Sequence, residues 1–541
     1  MRIVTTSEMK EIEKNAEKTY GLTEELIIEN VGVRAANFLY KKYLKDLKYG
    51  EVLFLVGKGN NGSDGLAMAR HLREYGIKVR AFILFNKEDL SKETVRQLQK
   101  SESYGVKINY ITECEQVQSY FSQVQEQPLV VDAIFGTGVK LPLSNLLYDV
   151  VRMINEWATF IVSIDIPSGV VGDTGVVEGP CIQADVTLAI GLPKVGHYVG
   201  MGSRMCGEIK ILDVGLPREL LMGGNQHLLS TLHVSYVCKT RNKFNYKNQY
   251  GHGLIIGGSS GLTGALILSA HAALKAGAGL VTAYTWEESY LELVSRVPPE
   301  IMTGILPIGR SEEDEGDYKS FLRNLSKYNC IAIGPGLGIG SHVRRLVLDV
   351  LASFNGPIVV DADAINALNI KEDYDLILRR KGPTLFTPHI GEFAKFSNND
   401  KVDVEQNPLE ILKEVVDKSR CSIVLKSAIS YLHFPSGEFY FNCFPNDGMA
   451  TGGSGDVLTG ILAGLLAQRA NDEKNRAQID DRIFYETVCL GTVLHSVAGK
   501  HAAKALGIWS MLAGNIIDYL GAAFNEIENL TKEELGEFLR E

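Results

Sequence analysis

Apolar residues recur along this chain in two alternating rhythms. Strand-like, mostly apolar runs lie at 51–56, 78–85, 128–134, 159–166, 185–190 and 208–213. Several are separated by stretches such as 93–101 and 144–156, whose apolar positions return every three or four residues, the helical period. The chain opens on one such helix: Thr5 and Glu8 can form a capping box, and Met9, Ile12 and Ala16 share a face. Strand and helix in alternation predict a mostly parallel sheet covered on both sides. The rhythm fails after Pro217, where Gly, Asn and Lys accumulate without period as far as Tyr250. It resumes with "HGLIIGG", strands near 330–333, 357–360, 383–386, 422–426 and 430–434, and helices over 453–468, 483–504 and 510–523; Thr531 and Glu534 can cap a last helix. The expectation is an α/β protein of two domains, residues 1–215 and 245–541, joined by a linker at 216–244.

Charge and composition narrow the function. Among 541 residues, 55 are Lys or Arg and 65 are Asp or Glu, a net charge of −10, which gives nucleic-acid binding no electrostatic support. The 8 cysteines are scattered with no CxxC, and no HExxH joins any histidines, so neither a zinc site nor a disulfide framework is expected and free thiols suit a cytoplasmic setting. The N-terminus turns charged at once, and the most apolar stretch, 253–284, is interrupted by His271, Lys275 and glycines, so no signal peptide or membrane span is expected. A small-molecule enzyme is the default.

Two stretches carry chemistry. The first, "EVLFLVGKGNNGSDGLAMARHL" at 51–72, spells GxGxxG between a strand and a helix, yet the next strand, "KVRAFILF", runs into Asn86 and Lys87 without the carboxylate that grips a ribose in a redox site. Asn60, Asn61, Ser63 and Asp64 add side chains suited to sugar hydroxyls or a cation, so the loop points to a Rossmann-like site for a nucleotide-like ligand rather than to a redox cofactor. The second is "NDGMATGGSGDVLTGILAGLLA" at 446–467. No GxxxxGK[ST] occurs in the chain, but Gly452, Gly453 and Gly455 let the backbone curl at a helix N-terminus, where amides can face an anion. Asp456 follows. The residues alone leave two readings of it open: a helix cap, or the base that takes a proton from an attacking hydroxyl in phosphoryl transfer.

With "GGSSGLTGALILSAHAALKAGAGLV", "GPGLG", "VVDADAINAL" and "TPHIGEF", the second stretch resembles the ADP/ATP-dependent NAD(P)HX dehydratase family, of ribokinase-like α/β fold. In the first domain, "GKGNNGSDG", "VDAIFGTG" and "IDIPSG" resemble the NAD(P)HX epimerase domain, a Rossmann-like three-layer α/β/α unit, and the order matches the bifunctional fusion. The resemblance supplies a substrate: reduced nicotinamide dinucleotide hydrated on its ring, with a hydroxyl at C6 beside the ring nitrogen. Phosphorylating that hydroxyl makes it a leaving group, which is why a dehydratase would use a kinase fold, and the two hands at C6 are why it would need an epimerase. The resemblance implies Asp456 as base, Gly453, Ser454 and Gly455 as anion hole, Ala265, Gly336 and His389 as substrate contacts, and Lys426, Ser427, Ala428, Ile429 and Ser430 as the ADP segment, with Asn366 and Glu392 placing hydrated Mg²⁺. Without it, His389 reads better as a turn histidine. For the epimerase it implies Asp165 as acid/base, and Asn61, Asp132 and Ser168 as potassium ligands. A dinucleotide cradle follows at Asn60, Asn61, Gly62, Ser63 and Asp64 and at Gly136, Thr137, Gly138, Val139, Lys140, Leu141 and Pro142. Ser63 stands where the family usually has glycine, a cost in affinity if the site needs a positive φ there. Expected partners are NADHX, NADPHX, ADP and a second copy of the chain, with no nucleic acid and no membrane. The rival reading is a vitamin or sugar kinase fused to a nucleotide-binding module.

Overall fold

The computed structural model describes residues 1–45, 50–143, 145–238, 241, 244–307, 312–471 and 479–530, which form two compact units, Arg2–Gly224 and, with Met1, Asn225 onward. The expected helix at Thr531 and Glu534 lies outside the described residues. Among the described residues, no helix is long and apolar enough to cross a membrane.

The first unit begins with helices α1 (Thr6–Tyr20) and α2 (Glu24–Leu39) and then alternates: β1 (Val52–Val56), α3 (Asn60–Glu74), β2 (Val79–Ile83), α4 (Lys92–Ser103), β3 (Lys107–Tyr110), α5 (Cys114–Gln123), β4 (Leu129–Ala133), α6 (Asn145–Trp157), β5 (Ile161–Ile164), β6 (Val186–Ile190) and β7 (Glu208–Leu212). The capping box opens α1, with the Glu8 amide donating to Thr5 Oγ1 at 3.2 Å and the Thr5 amide to Glu8 Oε2 at 2.8 Å. All seven strands are parallel, in the order β3-β2-β1-β4-β5-β6-β7. Strand addition reverses between β1 and β4, and a sheet that reverses direction leaves a crevice beyond its carboxyl ends at that point. The backbone there is tight enough to demand glycine: a Cβ on Gly57 would lie 1.7 Å from the Ile134 carbonyl oxygen, and one on Gly62 would lie 2.1 Å from that of Gly57. β3 is an addition to the sequence expectation.

The second unit starts inside the stretch expected as a linker. Gln226–Leu228 is a strand, β8, and Thr231–Ser235 is a short helix whose Leu232 and Val234 are buried. The sheet continues with β9 (His252–Ile256), β10 (Leu280–Thr285), β11 (Met302–Ile305), β12 (Cys330–Ile333), β13 (Ile358–Val360), β14 (Thr384–Phe386), β15 (Ser422–Leu425), β16 (Ser430–His433) and β17 (Phe439–Asn442). Ten strands run β11-β10-β9-β12-β13-β14-β15-β16-β17-β8, parallel from β11 to β15, then antiparallel through β16 and β17, with β8 parallel to β17 on the edge. β8 is the correction to the linker at 216–244: a backbone with unpaired edge groups beside it recruits a short polar segment that periodicity alone reads as loop. The helices that matter to the site are α7 (Thr263–Lys275), α8 (Ile390–Ser397), α9 (Ser454–Ala470) and α10 (Asp481–Leu506). α9 is apolar all round and packs between α7 and α10. Its Gly460 and Gly464 let backbones touch, since a Cβ on either would stand 2.1 or 2.3 Å from the carbonyl oxygens of Ser269 and Ala273 on α7. The helix expected over 510–523 is two helices, Ala513–Asp518 and Leu520–Glu528.

Candidate active sites

A cavity of about 570 Å³ opens at the reversal point of the first sheet, large enough for a nucleotide-sized ligand. The glycine-rich segment expected as a loop is already helix from Asn60, so 60–64 is the first turn of α3. Gly59 holds the N-cap position with no side-chain cap, which leaves first-turn amides free to face an anion in the cavity. Asn60, Asn61 and Asp64 line it, as do Gly136, Thr137, Gly138 and Asp165. Ser63 does not. Its hydroxyl lies 3.1 Å from Thr94 Oγ1 of α4, and it adopts helical backbone, so the cost raised by its departure from glycine does not arise. Val139, Lys140, Leu141 and Pro142 are also off the lining; Val139 and Leu141 pack instead onto the apolar cluster beneath α6.

Asp165 is the most constrained residue of the site. It follows β5 with φ +67°, uncommon for a residue with a side chain, and two neighbours hold it there. Lys194, fully buried, donates from Nζ to Asp165 Oδ1 at 2.5 Å and to the Ile190 carbonyl at 2.9 Å. His197 Nδ1 accepts the Lys194 amide at 2.9 Å, so its proton is on Nε2, which donates to the Asp165 carbonyl at 2.7 Å. Burial, reinforced by Lys194, pushes His197 down to about 4, so it stays neutral and keeps this role. The carboxylate therefore does not cap the turn around Pro167; it is an ion-paired group at the wall of a cavity. Sequence reasoning missed Lys194, His197 and Glu13, a lining carboxylate that burial raises above its ordinary range. The spacing in "GLPKVGH" after a strand was the available signal.

Asp132 and Ser168 meet at the end of β4. Ser168 Oγ donates to Asp132 Oδ1 at 2.6 Å and its amide to Oδ2 at 2.9 Å. Asn61 makes no hydrogen bond to this pair, its buried amide oxygen and nitrogen both being without a partner. An orphaned oxygen beside the cavity and a set made only of oxygen donors fit a hard monovalent cation.

The second site lies at the carboxyl ends of β9, β12, β13, β14 and β15. Gly453 is the N-cap of α9 at φ +95° with no side-chain cap, and Asp456 sits in the first turn, so Asp456 does not cap the helix. Burial first, then Asp361 and Glu392, push its carboxyl up to about 7, against the pull of Lys426. Lys426 Nζ binds Asp361 Oδ1 at 2.7 Å, and Thr459 Oγ1 on α9 donates to Asp361 Oδ2 at 2.6 Å, which fixes the carboxylate beneath the ammonium. Burial works against the Lys426 charge, but Asp361 and Glu392 outweigh it and hold its pKa above the usual lysine value. That ammonium reaches the anion turn, 3.1 Å from where a Cβ on Gly455 would stand. Ser454 is fixed from below by His495, whose Nε2 lies 2.9 Å from the Ser454 carbonyl; burial keeps this histidine neutral, near 4. Asp361, Thr459 and His495 were not singled out from sequence, although Asp361 lies inside "VVDADAINAL".

His389 does what a turn histidine does. It is the N-cap of α8, accepting on Nδ1 from the amides of Gly391 at 2.9 Å and Glu392 at 3.2 Å, while Glu392 Oε2 accepts the His389 amide. A β-bridge pairs His389 with Lys426, and its exposed ring places Nε2 3.4 Å from Glu392 Oε1. Gly336, at φ +59°, packs against Ala265: its Cβ would lie 3.3 Å from that of Ala265 and 2.4 Å from the Leu262 carbonyl. Of the segment after β15, Ser427 and Ala428 are exposed, whereas Ile429 turns inward and is buried. Asn366 is exposed and Glu392 buried.

Comparison with known proteins covers both units. Residues 253–521 match the model described as NAD(P)H-hydrate dehydratase, and residues 24–196 match that of the YjeF-related protein N-terminus. The bifunctional NAD(P)H-hydrate repair enzyme of Moorella thermoacetica is 36% identical over 535 residues, covering 98% of this chain and 97% of its own. That of Thermofilum pendens is 31% identical, covering 97% of each. Among solved structures, the ADP/ATP-dependent NAD(P)H-hydrate dehydratase from Bacillus subtilis, co-crystallized with ATP/Mg2+, is 25% identical and covers 57% of this chain and 100% of its own at a TM-score of 0.46.

Proposed function

The chain belongs to the family of bifunctional NAD(P)H-hydrate repair enzymes, joining an epimerase of hydrated NAD(P)H to the dehydratase that restores NAD(P)H, and from that premise we propose how its residues divide the work. In the second unit Asp456 is the base that removes the proton of the C6 hydroxyl as that oxygen attacks the terminal phosphate of ADP. The observation that carries this is a carboxyl poised near neutrality in the first turn of an uncapped helix, beside amides that can hold the charge spreading over the phosphoryl group. Gly453, Ser454 and Gly455 form that anion hole, Lys426 to Ser430 hold the nucleotide, and Ala265, Gly336 and His389 border the dinucleotide. Among the described residues no three carboxylates converge on a metal position, so a Mg²⁺ that keeps its waters would be placed through Asn366 and Glu392; when bound, that ion supplies neutralisation of phosphate charge. Loss of the C6 phosphate, pushed by the ring nitrogen, and of a ring proton then returns the dihydropyridine.

In the first unit Asp165 takes and returns the proton of the C6 hydroxyl while the ring opens to an aldehyde and recloses on either face. The first turn of α3 and Gly136 to Gly138 hold the dinucleotide, and Asn61, Asp132 and Ser168 hold potassium, which when bound adds a fixed positive charge. The reading includes a homo-oligomer in the cytoplasm. Both epimers of hydrated NADH, supplied with Mg²⁺, K⁺ and either ADP or ATP, test it through the return of dihydronicotinamide absorbance. Recovery beyond one half with ADP is expected; a stall at half for the intact chain overturns the epimerase assignment, and no recovery overturns the dehydratase assignment.

A further inference from the structure

Ring opening and closure needs two proton carriers, one at the C6 oxygen and one at the ring nitrogen, and Asp165 can serve only one of them. We propose that Asp64 is the second, the acid that protonates the ring nitrogen as the ring opens and the base that deprotonates it as the ring closes. The inference rests on the reading of Asp165 given above.

Asp64 lies in the first turn of α3, on the opposite side of the sheet's reversal point from Asp165, and both line the same cavity. Only 5% of its surface is exposed, and its Oδ1 has no hydrogen-bond partner in the protein, so the group is neither a cap nor part of an ion pair. A buried polar atom left unsatisfied at a ligand cavity costs stability that a purely structural residue has no reason to incur. The charged groups that face it are Asp165 beyond β5, Glu13 on α1, Glu24 on α2 and Lys194 after β6. Three of the four are carboxyls, and the fourth already donates to Asp165. Burial first, then Asp165, Glu13 and Glu24, push the Asp64 carboxyl well above its ordinary range, the protonated form that a donor needs. The two carboxyls thus differ in their surroundings: Asp165 is paired with the Lys194 ammonium, and Asp64 has no counter-charge of its own.

The step balances. Asp165 takes the hydroxyl proton, the oxygen's electron pair forms the aldehyde C=O, and the C6–N1 bond breaks with its pair going to N1, which receives the Asp64 proton. After rotation about the C5–C6 bond, Asp64 recovers that proton as N1 attacks the other face, and Asp165 returns its own to oxygen. Nothing is consumed.

The test is epimer interconversion by the full-length chain, read by chromatography of the two forms of NADHX, with circular dichroism and thermal unfolding of the variant against the native chain as the control for folding of the unit Arg2–Gly224. Asp64→Asn is expected to lower the epimerisation kcat at least ~100-fold with KM within about threefold, and Asp64→Glu to regain a tenth or more of the rate, the scale of general acid–base catalysis. Interconversion by Asp64→Asn at near the native kcat overturns the proposal. So does a loss confined to KM, or a loss reversed by raising potassium, which would make Asp64 a cation ligand. Asp165→Asn separates the premise: if it epimerises normally while Asp64→Asn does not, the role given to Asp165 fails and that of Asp64 stands.

Discussion

At the scale of single residues, the two sites use one device in opposite senses. Lys194 gives Asp165 a buried counter-charge, whereas Asp456 sits buried among other carboxyls that raise its pKa to about 7. Dehydratase kcat/KM should therefore fall as pH drops through about 7, where Asp456 takes up the proton it must be free to accept. Asp456→Asn should reduce dehydration at least ~1000-fold and leave epimerisation untouched. It should also stabilise the protein, and the sign follows from linkage. A carboxyl whose folded pKa is raised from 3.8 to about 7 costs the folded state progressively as pH rises through that window. The variant should thus unfold at higher temperature than the native chain at pH 8, by roughly 2–3 kcal/mol after allowance for partial exposure, and the gap should close below pH 4. Lys194→Met should lower epimerisation about 100-fold while dehydration persists, since the buried Asp165 loses its counter-charge. Asp165 and Asp456 could be picked out through the stretches that carry the resemblance, "IDIPSG" and "GGSGD"; their positions alone, before Pro167 and after Gly455, left helix or turn capping open. Lys194 and His197 could not be picked out, because their meaning is a contact with Asp165 across 29 and 32 residues that no local pattern encodes.

At the scale of elements, legibility mostly followed burial. The runs buried on both faces, such as Val52–Val56 and Cys330–Ile333, stood out as apolar blocks. Three of the strands missed are edges: β3 reads "KINY" and is mostly exposed, β11 closes one end of the second sheet, and β8 is a three-residue polar strand that exists because Phe439–Phe441 offers it a partner; β10 and β17, also missed, are interior. Capping was legible at Thr5 but misleading at Asn60 to Asp64, where polar side chains and glycines read as loop although the backbone is already helical. The close approach of α9 to α7 makes its own prediction. Gly460→Val, pressing a Cβ into the Ser269 carbonyl, should cost about 3 kcal/mol or more and lower dehydration by displacing Asp456, whose carbonyl accepts from Ser269 Oγ at 2.8 Å. Thermal unfolding together with the dehydratase assay would measure both effects.

At the scale of the molecule, the boundary between the units falls after Gly224 rather than near residue 245. A fragment beginning at Asn225 should consequently melt several degrees above one beginning at residue 245, because the shorter piece lacks β8 and the packing of Leu232 and Val234. The doubly wound arrangement was readable from the alternation of rhythms. The boundary was not, since only tertiary pairing assigns a polar strand to one sheet or the other. One consequence of the way α9 is clamped between its neighbours concerns time rather than position. Amides from Val457 to Ala467, wholly enclosed, should exchange with deuterated solvent only when the entire unit unfolds, and so most slowly. Any opening and shutting around that helix would then have to be carried by exposed rim residues such as Ile339, while the enclosed turn holding Asp456 stays still.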